Sequence, residues 1–208
     1  RNVHGLPFSN ADLLDLKNGT RQQFSDMAGV FSFQVVAQKA DGTPEPFSMA
    51  VVTTNFFDVM GAQIVAGRDL EKQDGIPQPK APGAQGGQPA SGAQQPPQLP
   101  QMAILSHEYF MKRYGGNRAV LGHTLGNSGG PNAVIVGVLA PGFRLYFPPE
   151  DQIQAAPDVW VANRLDYDAA DRNDFSIIPV GRLKQGVTLQ QAQSAADQAA
   201  QSAQIATQ

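Results

Sequence analysis

Side chains that could do chemistry are few in this chain and poorly spaced for it. Ser106 and His107 are adjacent, which invites a nucleophile–base reading. Neighbours at a helix start point in different directions, however, and no G-x-S-x-G elbow accompanies them. A helix cap beside a surface histidine suits the pair better. His4, His107 and His123 are each isolated in sequence. Asp166, Asp168, Asp171 and Asp174 could suggest calcium, but Ala170 and Asp171 stand where such a loop needs an oxygen ligand and a glycine, so they read as a solvated acidic loop. Glu150 and Asp151 are sequence neighbours, whereas glycosidase carboxylates must face each other across a substrate. Gly115-Gly116 and the stretch from Gly126 to Gly130 lack the G-K-[ST] of a phosphate loop and the dinucleotide fingerprint, which leaves tight turns. No catalytic, cofactor or metal site is expected, and the chain is read as not an enzyme. One group remains: Leu145, Tyr146 and Phe147, ahead of two prolines. Exposing all three would be costly, so they either tuck under the fold or form a contact patch for a partner.

The composition bounds the partners. With 208 residues and a formal net charge of −3, the chain has no basic footprint, and nucleic acid and anionic membrane surfaces are not expected partners. It has no cysteine, which removes disulfides, thiolate metal sites and thiol nucleophiles. The richest apolar run, Ala133 to Ala140, is far shorter than the ~20 residues a helix needs to cross a bilayer. The opening RNVHGLPFSN carries no apolar leader core.

The elements that must position any site follow from periodicity and punctuation. Ser9-Asn10 cap a helix over ADLLDLK that Asn18-Gly19 stop. Phe31 to Gln38 and Phe47 to Thr53 read as strands around the DGTPEP turn. Thr54 is placed as the cap of a short buried helix, NFFDVMG, ended by Gly61, with Ile64-Val65 extended after it. From Gln73 to Gln101 the chain carries 7 of its 16 prolines and 5 of its 21 glycines, with no aromatic. Such a segment cannot offset the ~1–2 kcal/mol per residue of backbone ordering, and residues 73–101 are read as a disordered loop. Met102 to Leu105 is a strand, and Ser106 caps HEYFMKRYGG with Phe110, Tyr114 and Met111 on one face. Ala133 to Leu139 is a central strand covered on both faces. Asp158 to Ala162 and Phe175 to Leu183 are further strands. A Thr188–Gln191 capping box opens a last helix whose stripe is Leu189 with alanines 192, 196, 199 and 203.

Two stretches carry a family pattern, VVTTNFFDVMGAQIVAGRDL from Val51 and ILSHEYFMKRYGGNRAVLGHTLGNSGGPNAVIVGVLAPGF from Ile104. Their order is strand, N-x-F-F-D-V-x-G helix, G-R-D end, variable insertion, strand, aromatic-basic helix closing on Gly-Gly, L-G-x-x-L turn and V-I-V-G-V-x-A-P-x-F strand. The chain thereby resembles the MacB-like periplasmic core domain of FtsX-like ABC-transporter permeases. Phe8 to Val30, Asp158 to Trp160 and Val180 to Asp197 are similar to the segments that open and close that domain. GNSGGPN, Gly126 to Asn132, departs from the short N-G hairpin that is commoner there.

The resemblance implies an α+β domain of two lobes. A porter-like lobe combines residues 1–72 and 166–208, and a sabre-like lobe, 102–165, is inserted between its halves. The 102–165 piece has apolar strands of its own and is expected to be marginal but capable of folding alone, whereas 1–72 is not. The implied place is periplasmic, between transmembrane helices of the parent permease. The implied role is to couple the cycle of a cytoplasmic nucleotide-binding part to export or to envelope partners, with a periplasmic adaptor among them and a permease dimer in the full-length protein. The alternative is a free-standing periplasmic ligand- or peptide-binding module, which an apolar pocket between lobes would favour.

Overall fold

The computed structural model describes residues 8–38, 42–79, 97–125, 133–147, 153, 155–164 and 177–206. Within them the chain runs α1 (Asn10–Gly19), β1 (Phe24–Gln38), β2 (Pro44–Val52), α2 (Phe56–Met60), β3 (Ile64–Gly67), β4 (Gln101–Leu105), α3 (His107–Tyr114), β5 (Thr124–Leu125), β6 (Ala133–Leu139), β7 (Val159–Ala162), β8 (Ile178–Leu183) and α4 (Leu189–Ala206). All the strands join one mixed sheet in the order β3-β6-β4-β7-β2-β1-β8, with β5 on β6. Among the described residues no helix is long and apolar enough to cross a membrane.

The helix starts follow their local sequence. Ser9 Oγ accepts from the Asp12 N–H at 3.1 Å while the Asp12 carboxylate accepts from the Ser9 N–H at 3.2 Å, a complete capping box. Ser106 accepts from the Tyr109 N–H, and Thr188 and Gln191 make the expected reciprocal pair. Gly61 and Gly115 close α2 and α3 in the left-handed conformation. α2 begins differently from expectation. Its first residue follows Asn55, not Thr54, and no side chain caps it. Thr53 bonds Asn55 Oδ1 instead, and accepts from the Gly29 N–H of β1, so a contact distant in sequence fixes the turn.

Gly19 also plays another part than the one expected. The residue after it, Thr20, is not left-handed, and a Cβ on Gly19 would stand 2.8 Å from the Cβ of Ala199. Glycine here lets α1 and α4 approach closely. The alanine stripe of α4 is real at Ala192, which is buried, but Leu189 is 76% exposed and lies outside it. On α3 the buried residues are Tyr109 and Phe110, while Met111 is exposed. Arg113 pairs with Glu45 of β2 and lies over the Tyr109 and Tyr114 rings.

Two apolar clusters correspond to the two faces of the sheet. Strand alternation sends Phe47 and Met49 of β2, Ala103 and Leu105 of β4, and Val159 and Val161 of β7 to one face, against Tyr109 and Phe110. It sends Ala50, Val52, Ile104, Trp160 and Ala162 to the other, against Phe56 and Phe57 of α2. The register slips in β6 between Ile135 and Gly137, so Val138 rejoins the face of Ile135 and Leu139 takes the opposite one. Strands from both expected lobes are interleaved in this sheet. β7 lies parallel to β2 on one side and antiparallel to β4 on the other, and β3 pairs with β6. Ser48 and Asp158 lock the β2–β7 junction: the Asp158 carboxylate accepts from the Ser48 N–H and Oγ at 2.8 and 3.0 Å.

Candidate functional site

The loop after β6 places the trio singled out by sequence. Pro141-Gly142 turns the chain, and the Gly142 N–H donates to Glu108 at 3.0 Å. That bond holds the Glu108 carboxyl below its ordinary range, helped by the backbone N–H of Glu108 itself. Phe143 then packs edge-on against Phe57 and Trp160, with centroids 6.0 and 5.5 Å apart. Leu145 is buried in the same cluster, and its N–H donates to the Ala155 carbonyl at 2.7 Å. Phe147 packs partly against the cluster, whereas Tyr146 between them is 91% exposed. The three therefore divide: Leu145 and Phe147 face the core, and Tyr146 is presented to solvent.

The residues weighed for chemistry do not assemble. Ser106 is almost fully buried as the cap of α3, with its oxygen turned to a backbone N–H. His107 is half-buried at the start of α3, and His123 is exposed just before β5. Among the described residues no group of three or more His, Asp or Glu side chains could hold a metal ion. His4, Glu150-Asp151, the aspartates 166, 168, 171 and 174 and the Gly126 to Gly130 stretch lie outside the described residues. A half-open recess of about 240 Å³ lies between the end of α1 and the start of β1, lined by Lys17, Arg21, Phe24, Asp26 and Lys184 among others. Its charges are already engaged: Lys17 pairs with Asp26 at 2.6 Å, and the Lys184 ammonium donates to the Arg21 carbonyl at 2.7 Å.

The G-R-D end of the first motif has a structural meaning that its letters hid. Arg68 makes a forked pair with the buried Asp74 at 2.6 and 3.2 Å, which raises the guanidinium pKa, and Asp74 also accepts from the Glu71 N–H. A 3-10 turn, Lys72–Gly75, is fixed by these bonds, so the sequence boundary at Gln73 falls inside ordered chain. At the other end, residues 97–101 are ordered too, and residues 80–96 lie outside the described ones. The only forward signal was the arginine-acid spacing itself.

No protein-family model and no curated protein matches the chain. Solved structures do. The periplasmic region of MacB from Actinobacillus actinomycetemcomitans superposes with a TM-score of 0.57 at 13% identity, over 97% of this chain and 77% of that one. The extracellular domain of the noncanonic ABC-type transporter YknZ from Gram-positive bacteria gives 0.55 at 14%, over 91% and 78%. A permease-protein domain from Porphyromonas gingivalis gives 0.53 at 14%, over 95% and 71%. At such identities the likeness is one of fold. The mixed α+β architecture of this chain is that of the MacB-like periplasmic domain, the architecture its two sequence motifs resemble.

Proposed function

We propose that the chain is the extracytoplasmic domain of an ABC-transporter permease subunit. In this reading it stands in the periplasm, outside the inner membrane, flanked by transmembrane helices, and works with a cytoplasmic nucleotide-binding part in a dimeric permease. The observation that carries the reading is the fold shared with three transporter or permease domains over more than nine-tenths of this chain, in the element order that the sequence motifs give. The domain acts without chemistry of its own, coupling the ATPase cycle to export or to an envelope partner such as a periplasmic adaptor. A single sheet bonded from edge to edge suits that role, because a load applied to one element reaches the others through continuous backbone hydrogen bonds.

The segments 1–72 with 166–208 and 102–165 are kept as its porter-like and sabre-like parts on the strength of element order. The partner contact is assigned to Tyr146, which is exposed between the buried Leu145 and the partly buried Phe147. An aromatic residue held in this way offers contact area at little entropic cost.

A topology reporter placed between Gly86 and Gly87 of the parent protein tests the reading. Alkaline phosphatase fused there is expected to be active, and activity of a cytoplasm-dependent reporter in its place overturns the assignment.

A further inference from the structure

The described segments before and after residues 80–96 meet at one side chain. Arg164 follows β7, and its backbone is held in place because the preceding Asn163 N–H continues the parallel ladder to the Val52 carbonyl at 2.8 Å. From there one guanidinium nitrogen donates to the Ile76 carbonyl at 2.8 Å and the other to the Pro100 carbonyl at 2.6 Å. Beyond them, the Gln78 side-chain amide pairs with the Leu99 backbone in both directions, donating to its carbonyl and accepting from its N–H, each at 2.8 Å. Gly75 completes the seat, since a Cβ there would press on Thr54 and on the Asn163 carbonyl.

We propose that Arg164 is a clasp that joins the segments 72–79 and 97–101 into one neck and ties it to β7, so that the neck moves as one body with the middle of the sheet. The planar fork suits the task. It offers two diverging donors in fixed geometry, which a lysine's single ammonium does not. Arg164 is thus a positioning residue: both segments are referred to β7 through one side chain. The assignment depends on hydrogen bonds of this chain and stands apart from the transporter reading.

Backbone amide exchange in the full chain tests it. Arg164→Ala is expected to speed exchange in residues 72–79 and 98–101 together, by about tenfold or more as local opening becomes easier, with β6 and β7 unchanged. Arg164→Lys is expected to restore protection to at most one of the two ends. Gln78→Ala should speed exchange of the Leu99 amide while the Ile76 side of the neck stays protected. If Arg164→Ala leaves both ends protected, loosens only one, or loosens the whole sheet equally, the clasp is overturned.

Discussion

Every residue of β7, Val159 to Ala162, is buried, whereas β8, from Ile178 to Leu183, buries none. Both are short strands of the same sheet. β7 sits between β4 and β2, with Phe56 and Phe57 packed on one of its faces and the α3 cluster on the other. β8 is the terminal strand, and the helix that follows it, α4, buries Ala192 but leaves Leu189 in solvent. The contrast teaches where stability resides. Apolar burial is densest in the middle of the sheet, while at the β8 end Leu13 and Leu16 of α1, Met27 of β1 and Ile177 are buried beside ladder bonds, caps and a close helix contact. Regions of few buried contacts open locally well before the domain unfolds. A sheet built this way keeps a stiff centre and a compliant margin.

The largest effects should fall in the middle. Trp160 is fully buried and touches Phe56, Phe57 and Phe143 with centroids between 5.5 and 5.7 Å. Truncating such a side chain costs about 3–5 kcal/mol against the ~5–15 kcal/mol that holds a domain together. Trp160→Ala and Phe57→Ala are each expected to abolish or severely lower cooperative melting. Ile135→Ala, on the opposite face, should cost about 2–5 kcal/mol by denaturant titration. Equal, small losses for Trp160→Ala and for the exposed Leu189→Ala would erase the contrast.

Cutting the chain is the next test. The sequence suggested that residues 102–165 would be marginal but capable of folding alone. With β7 inserted between β4 and β2, that fragment would expose the β2-facing edge of a fully buried strand, and it would lose Phe47 and Met49 from one apolar face and Ala50, Val52, Phe56 and Phe57 from the other. Neither 102–165 nor 1–72 is now expected to melt cooperatively by itself, while the two halves of a chain nicked between Gly86 and Gly87 should stay associated. A sharp thermal transition from the 102–165 fragment would contradict this.

What could be read from the sequence was local. The caps at Ser9, Ser106 and Thr188, the glycine stops at Gly61 and Gly115, and the buried run of β6 each depend on residues a few positions apart. The helix α2 was legible but its cap was not, because its start is fixed by Thr53 bonding Gly29 across the sheet. Gly19 was read as a stop because the helix it accommodates, α4, lies 180 residues later (199 against 19). The slip of register in β6, the Arg68–Asp74 fork and the two carbonyls gripped by Arg164 are likewise long-range or geometric facts, with no periodicity to announce them. The trio at 145–147 was found by its apolar character, but only packing could divide Tyr146 from its neighbours.

At the margin the expected effects shrink. Gly19→Val would drive a branched side chain into Ala199, and overpacking of that kind costs about 1–3 kcal/mol. The loss should appear as reduced helical signal from an undocked α4, with the near-ultraviolet signature of Trp160 retained. Simultaneous loss of both signals would mean that α4 belongs to the stiff centre after all.

The smallest effects are electrostatic, and two carboxylates should give opposite signs. Burial alone would raise Asp26, but hydrogen bonds from Lys17, Asn55 and the Met27 N–H, with the Lys17 charge, hold its pKa below the ordinary value. A depressed folded pKa contributes stability above the unfolded value, and that contribution is lost as pH falls through the folded pKa. Asp69 is the reverse: burial raises it, the Leu70 N–H and Arg68 pull it down, and the Asp58 charge pushes it up again, for a net increase. A raised folded pKa favours the native state most below the unfolded value, and that gain fades as pH rises through the folded pKa. At neutral pH, therefore, Asp26→Asn should lower the melting temperature slightly, because the exposed Lys17 pair is worth only about 0–1 kcal/mol. Asp69→Asn should raise it or leave it level, since it removes a half-buried charge near Asp58 and keeps an acceptor for the Leu70 N–H. The Asp69→Asn difference should vanish below about pH 3.9, where the carboxylate protonates in the unfolded chain as well, whereas the Asp26→Asn difference should persist further into acid and fade only as pH falls through the depressed folded pKa of Asp26. Melting curves followed from pH 7 downward into acid decide it. If Asp69→Asn destabilises at pH 7 by more than Asp26→Asn does, the Asp69 carboxylate serves the base of the Arg68–Asp74 turn as a charge, and burial does not control it.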